Sequence, residues 1–454
     1  MVEGARIRNK VGHCIEMTNF YLMNRYSLKP VVFILFLSVQ PGFASKWDEL
    51  RTLLYNKEYF KLERILPYSL NQMETWQVLY LNSCLESVFN RPEASNLYIE
   101  KIFEDDEKKM SEEMKCYLLG IKMSNYAKLY QYKKAAEACE LMLSNQYHLK
   151  PGTSGYSILK DTYLKMYQAL AEVPTQTTFI KDDSKIQLKM DRNKAWNIPV
   201  IFGSDTDNFL FDTGSYLSVI SESLAAKIGI KKMGEFKSYY INGKKGTSSV
   251  GVLSSLKIGN AEVNNVVFEI VSDKDLSFRL SRYKINGIIG FPVIQQLKEI
   301  RISQDGYLRI PKNASKKDIG NLCMDNFIPI IEIFTSKDTL DFQLDTGAER
   351  TFLFKDYFDK HQDSIKRNFK RGRKWMVGVG GIQSLVSTKV YKLKNFTLRI
   401  ANKTATLKET DIWYKSQFAT QGVNNGIYGN LGQDVIKQFN TMVLNFESMY
   451  MEFK

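Results

Sequence analysis

Two aspartates stand where a buried strand would want apolar residues. Residues 209–221 read FLFDTGSYLSVIS, and residues 342–353 read FQLDTGAERTFL. In each, an Asp-Thr-Gly turn interrupts an apolar run, which sets Asp212 beside Thr213 and Gly214, and Asp345 beside Thr346 and Gly347. One buried carboxylate alone is costly. Two that face each other can share a proton, because like charges at short range cannot both ionise. Their titration then belongs to the pair. The chemistry open to such a pair is activation of water. The ionised member takes a proton from a water held between them, the water attacks a carbonyl, and the protonated member hydrogen-bonds the carbonyl oxygen. Gly214 and Gly347 are expected to let the backbone approach another segment closely and to take conformations denied to larger residues. The Thr213 and Thr346 hydroxyls are expected to bond backbone groups across an interface.

The surroundings of the two turns are also duplicated. From Ile198 and again from Ile328 the chain gives Ile-Pro, an apolar strand, a polar turn, a second strand and then Asp-Thr-Gly. Downstream, Ile288-Ile289-Gly290 and Asn430-Leu431-Gly432 each lead into Val-Ile, a glutamine and a closing strand. Asp212 precedes Gly290 by 78 residues, and Asp345 precedes Gly432 by 87. Chance explains one Asp-Thr-Gly easily, but not two motifs in one order at similar spacing. Residues 176–314 and 315–454 therefore read as duplicated lobes.

These residues resemble the active-site loops of retropepsin-like aspartic proteases, fused in tandem as in the bilobal pepsin plan and similar to secreted bacterial members. Asp-Thr-Gly-Ser at 212–215 and Asp-Thr-Gly-Ala at 345–348 fit that loop. The family's second motif is two apolar residues and a glycine packed behind it. Ile288-Ile289-Gly290 fits in full, whereas Asn430 departs from it, a change expected to loosen packing in lobe two. The resemblance implies all-β acid-protease barrels with Asp212 and Asp345 as the catalytic pair. It implies support from Thr213, Gly214, Ser215, Thr346, Gly347 and Ala348, with Ile289, Gly290, Leu431 and Gly432 packed behind. It implies a polypeptide substrate and neither cofactor nor metal. It also implies a glycine-rich flap, for which WMVGVGGIQS at 375–384 offers Gly378, Gly380 and Gly381. The matching place in lobe one is YYINGKKGTSS, with Gly243 and Gly246. An ordinary hairpin loop is the competing reading of both.

The elements that must position these loops change character along the chain. Residues 46–175 carry apolar residues at three- and four-residue steps, as in WDELRTLLYNKEYFKLERIL, and read as helices. YNKEYFKLERIL, FNRPEASNLYIEKIF and YQYKKAAEACELML each put an aromatic before a turn and an anchor after it. The anchors Leu62, Ala94 and Ala135 lie 32 and 41 residues apart. The spacing resembles tetratricopeptide-type hairpins, whose expected role is to dock a protein partner or to support the next domain. From residue 176 onward short β-branched and aromatic runs alternate with turn residues.

Ahead of the helices, Arg25 and Lys29, an apolar run from Val31 to Val39, and Ala44-Ser45 follow the order of a secretory signal peptide. Residues 1–45 then form a leader with its natural start at Met23. The mature chain is expected to be exported, to periplasm, cell surface or medium, with no transmembrane segment. Cys84, Cys116 and Cys139 fall in the helical part, where one disulfide can form. Asn313, Asn395 and Asn402 open glycosylation sequons.

The totals narrow the choice further. The 454 residues include 63 Lys and Arg against 49 Asp and Glu, a net charge of +14. No arginine-rich block or nucleic-acid motif accompanies that charge, so a lysine-rich surface accounts for it without nucleic acid. None of the five cysteines forms a Cys-x-x-Cys pair, and only three histidines occur. Zinc, serine–histidine and cysteine–histidine chemistry all lose weight on that count. Two other readings stand beside the enzyme. One is a catalytically silent peptide-binding or scaffold protein that keeps the fold, against which both aspartates argue. The other is a helical adaptor whose lobes merely present it.

Overall fold

A computed structural model describes residues 45–144, 151–239, 245–278, 283–376, 385–415 and 426–454. The leader lies outside the described residues except for Ser45. Gly378, Gly380, Gly381 and Gly243 also lie outside them. Helices run from Lys46 to Ala169, and β-rich barrel lobes follow from Thr177. Among the described residues no helix is long and apolar enough to cross a membrane.

The helical region is built from α1 (Lys46–Tyr55), α2 (Tyr59–Ile65), α3 (Thr75–Val88), α4 (Pro92–Asp105), α5 (Glu112–Lys128) and α6 (Tyr132–Leu143). Ser45 and Ser111 cap α1 and α5 by accepting from Asp48 N and Met114 N, which supplies an acceptor to backbone donors the helix leaves free. Pro92 opens α4, where a missing N–H costs nothing. The helices pair as three hairpins with one closure. Lys57, Asn90 and Tyr130 take left-handed φ values of 59°, 60° and 56°. The next N–H then reaches back five residues, Glu58 to Leu53 O, Arg91 to Glu86 O and Gln131 to Tyr126 O, at 2.9, 2.8 and 2.8 Å. Counted from that closure, the fully buried anchors are Leu62, Ser95 and Ala135. The second anchor is thus Ser95 and not Ala94, which is only half-buried. Ser95 tolerates the position because its hydroxyl donates to Ser83 O and accepts from Asn125 Nδ2. The three cysteines of this region do not pair: Cys84, Cys116 and Cys139 are buried free thiols.

Lobe one is a nine-stranded sheet. The strands that matter here are β1 (Trp196–Phe202), β2 (Asp205–Phe211), β3 (Ser218–Ser221), β4 (Met233–Tyr239), β5 (Lys245–Ile258), β6 (Ala261–Val271) and β7 (Gly287–Ile289). In β1, Trp196, Ile198, Val200 and Phe202 are buried at every second position, the period of a strand with one covered face. β7 is wedged between β2, parallel with Ile288 opposite Leu210, and β3, antiparallel with Ile288 opposite Val219.

Lobe two repeats this with β8 (Ile328–Phe334), β9 (Thr339–Leu344), β10 (Phe352–Leu353), β11 (Lys370–Met376), β12 (Val386–Ile400), β13 (Lys403–Lys415) and β14 (Ile427–Leu431). Here β14 is wedged between β9, parallel with Asn430 opposite Gln343, and β10, antiparallel with Asn430 opposite Phe352. β8 is buried almost throughout instead of alternating, because both its faces are covered. Ile331 and Ile333 face the lobe's core, while Ile328 and Ile330 pack with Phe60, Leu62 and Phe89 of the helical region. A five-stranded sheet ties the lobes together, with Glu299–Ser303 of the first chain segment antiparallel to Thr441–Asn445 of the second.

Candidate active site

Each Asp-Thr-Gly turn follows directly on a wedged strand pair. Asp212 N donates to Ile289 O at 3.1 Å, and Asp345 N donates to Leu431 O at 3.0 Å. The second motif therefore fixes where each aspartate leaves its sheet. Gly290 and Gly432 sit behind the loops, and both need their lack of a side chain. A Cβ on Gly290 would lie 2.3 Å from Leu217 O, and one on Gly432 would lie 2.9 Å from Ala348 O.

The two turns meet across the lobes in a reciprocal lattice. Thr213 N donates to Thr346 Oγ1 at 2.9 Å, and Thr346 N donates to Thr213 Oγ1 at 3.0 Å. Each hydroxyl then donates across the interface, Thr213 to Leu344 O and Thr346 to Phe211 O, at 3.0 and 2.9 Å. Both threonines are fully buried. The roles expected of their hydroxyls are the ones these bonds describe.

The carboxylates converge on the point these bonds define. A Cβ on Gly214 would lie 2.7 Å from Asp345 Oδ1 and 2.9 Å from Asp212 Oδ1, and one on Gly347 would lie 2.7 Å from both oxygens of Asp212. Neither glycine takes a left-handed φ, so of the two reasons expected for them only the close approach applies. Gly214 N donates to Asp212 Oδ1 at 2.8 Å. Gly347 N and Ala348 N donate to Asp345 Oδ1 at 2.9 and 3.0 Å. Ser215 turns its hydroxyl to Leu217 O, bracing the loop. Burial holds the Asp345 carboxyl well above the usual carboxylate range, and the neighbouring Asp212 charge adds to this. Hydrogen bonds from Asn430, Gly347 and Ala348 pull the other way. Among the described residues no cluster of His, Cys, Asp and Glu could hold a metal ion.

Asn430 does not loosen lobe two. It is fully buried, and its Nδ2 donates to Asp345 Oδ2 at 3.3 Å, where the matching residue of lobe one is the apolar Ile288. Two further glycines escaped the motif reading. A Cβ on Gly287 would fall 2.2 Å from the Phe209 ring, and one on Gly429 would fall 2.6 Å from the Phe342 ring. The sequence carries the signal: GIIG and GNLG share a leading glycine, and a phenylalanine stands three residues before each aspartate.

The hairpins expected to hold flaps are present as β4–β5 and β11–β12. Gly246 lies in β5, and Trp375 in β11 is half-exposed. The helical region reaches the site as well. Tyr216, next to Ser215, stacks edge-on against Phe327 at 4.9 Å, and its hydroxyl lies 3.3 Å from that of Tyr167.

Residues 198–293 match the family model described as aspartyl protease. The match includes Asp212 and Gly290 and ends before lobe two. No curated protein matches the chain. Together the match and the β-barrel fold support an aspartic protease.

Proposed function

We propose that the chain is an aspartic endopeptidase that hydrolyses peptide bonds with a water activated between Asp212 and Asp345. The observation that carries this reading is the convergence of two buried carboxylates on one point, held there by the reciprocal threonine bonds. One carboxylate of the pair is ionised and the other holds the shared proton. The ionised member takes a proton from water as its oxygen bonds to the peptide carbonyl carbon. The protonated member donates to the carbonyl oxygen, and a tetrahedral diol forms. Its collapse breaks the C–N bond, and a proton passes from the pair to the leaving amine.

The test is cleavage of a denatured, peptide-diverse substrate between pH 3 and 8. Asp212→Asn and Asp345→Asn should each lower the rate by roughly a thousandfold or more, and a statine-type mimic of the diol should block the parent. Cleavage that survives either substitution sinks the reading.

Two companions to this proposal concern placement. Export is inferred from the leader pattern between Met23 and Ser45, and N-terminal sequencing of protein recovered outside the cytosol would test it. A protein partner docking on the helical region is inferred from exposed Tyr68, Leu70 and Leu97. Site-directed crosslinking from these positions would test that.

A further inference from the structure

The face that carries the dyad differs between the lobes. Side chains two apart on a strand share a face, so Leu210 lies on the side of Asp212, and Gln343 on the side of Asp345. The opposite faces hold the core residues Phe209, Phe211, Phe342 and Leu344. In lobe one Leu210 stands opposite Ile288, which stands opposite Val219, and the three belong to one small apolar cluster. In lobe two the residues matching Leu210 and Ile288 are polar, Gln343 opposite Asn430. Asn430 shows how near this pair lies to the chemistry, since its Nδ2 donates to Asp345 Oδ2 at 3.3 Å. Asn430 Oδ1 and Gln343 Nε2 are buried with no hydrogen-bond partner among the described residues. A polar atom buried unpaired costs stability, a cost that the apolar pair of lobe one avoids. Behind Gln343 its strand partner Ile330 packs under the helical region, which closes that end of the face.

We infer that Gln343 and Asn430 form a specificity pocket for a carboxamide side chain, that of glutamine or asparagine, at one of the two substrate residues flanking the cleaved bond. This inference deepens the protease reading above and rests on it for the position of the peptide. A bond cleaved between the aspartates puts one flanking side chain over each lobe. Over lobe one that side chain meets the apolar wall of Leu210, Val219 and Ile288. Over lobe two it meets a free acceptor and a free donor on paired positions of neighbouring strands. A carboxamide answers both, its N–H to Asn430 Oδ1 and its C=O to Gln343 Nε2. A carboxylate has no N–H for the acceptor, and an aliphatic side chain leaves both groups unpaired. Burial of the pair is no bar to this role. Asp212 and Asp345 are buried to the same degree, and a substrate that reaches Asp345 also reaches the amide bonded to it.

The test uses the full chain and peptides that are alike except for Gln, Glu or Met at each flanking position in turn. At one of the two positions the parent should cleave the Gln peptide with kcat/KM roughly tenfold or more above the Met and Glu peptides. Gln343→Leu and Asn430→Leu each place an apolar residue where lobe one already has one, so folding is expected to survive. Gln343→Leu should bring the Met peptide level with the Gln peptide or above it, whereas a merely structural role would lower the rate on all peptides alike. Asn430→Leu should shift the preference in the same direction and also slow every peptide, because its amide bonds Asp345. Equal rates on Gln and Met peptides at both positions in the parent, or a preference unmoved in Gln343→Leu, overturn the assignment. A second measurement needs no turnover. Statine-type peptides carrying Gln or Met beside the mimic, followed by calorimetry, should bind the parent with roughly a tenfold margin for Gln that Gln343→Leu abolishes. A parent that shows no such margin overturns the inference, while a parent that keeps the margin but cleaves nothing overturns the protease reading alone.

Discussion

At the residue scale, the dyad depends on two hydroxyls that bond across the lobes. Thr213 and Thr346 each accept one cross-lobe N–H and donate to one cross-lobe carbonyl. Thr213→Val keeps the shape and removes both bonds, leaving Thr346 N and Leu344 O buried without that partner. Each orphaned group should cost about 1–3 kcal/mol, so urea unfolding should show a lower midpoint. Turnover should fall more than substrate affinity, because the aspartates lose their fixed separation. Gly214→Ala acts more directly. Its methyl would stand 2.7 Å from Asp345 Oδ1, so a carboxylate must move. A displacement near one ångström costs on the order of a hundredfold in rate. A variant that melts like the parent yet retains its full rate would show that the carboxylates do not act from these positions. The aspartates, threonines and motif glycines were legible because chemistry of this kind needs particular residue types at particular spacing. Asn430 was equally visible and was misread. A motif template scores it as a lost apolar contact, and only the fold shows that its amide points at Asp345.

At the scale of elements, the wedge strands β7 and β14 are held by a glycine under a phenylalanine ring. Gly287→Ala should drive its methyl into Phe209, and Gly429→Ala into Phe342. Overpacking of this kind costs about 1–3 kcal/mol. Because the wedge sets the exit of each aspartate, activity should fall with stability. Gly287→Ala combined with Phe209→Leu should recover much of the loss, and a double variant no better than the single one would mean that the ring is not the obstacle. Strand positions were readable from alternation in β1, where one face is covered. They were less readable in β8, whose unbroken apolar run records a second covering layer that local pattern cannot identify. Ser95 escaped for a related reason. A hydroxyl looks like a surface group until its partners, Ser83 O from α3 and the Asn125 amide from α5, are brought beside it.

At the scale of the whole molecule, the helical region is part of the lobes' cores and not a separate attachment. Tyr130 OH donates to Pro292 O of lobe one at 2.7 Å, while Lys57 pairs with Asp325 of lobe two at 2.5 Å. Arg64 grips Glu332 with two hydrogen bonds, at 2.7 and 3.1 Å. Behind Glu332 lies Asp341, its strand partner, whose carboxyl burial holds well above the usual range. Glu332 and Glu58 push it further up, and Arg64 opposes them. A carboxyl raised on folding binds protons more tightly in the native state. Its contribution is therefore fully present below the unfolded value near 3.8 and is lost as pH rises through the folded one. Asp341→Asn removes the ionisation. At pH 3.5 the variant should melt close to the parent. Above that its advantage should widen by about 1.4 kcal/mol per pH unit, then level off once Asp341 has ionised in the parent. Arg64→Met should carry the parent's decline to higher pH before it levels off, because it removes the cation that opposes the rise. Thermal melts across pH 3.5–8 would measure both. A constant offset between Asp341→Asn and parent would mean that Asp341 keeps one charge state throughout. A decline that follows the prediction would tie the grip of the helical region on lobe two to acidity, in the same pH range where the proposed dyad must hold one proton between two aspartates.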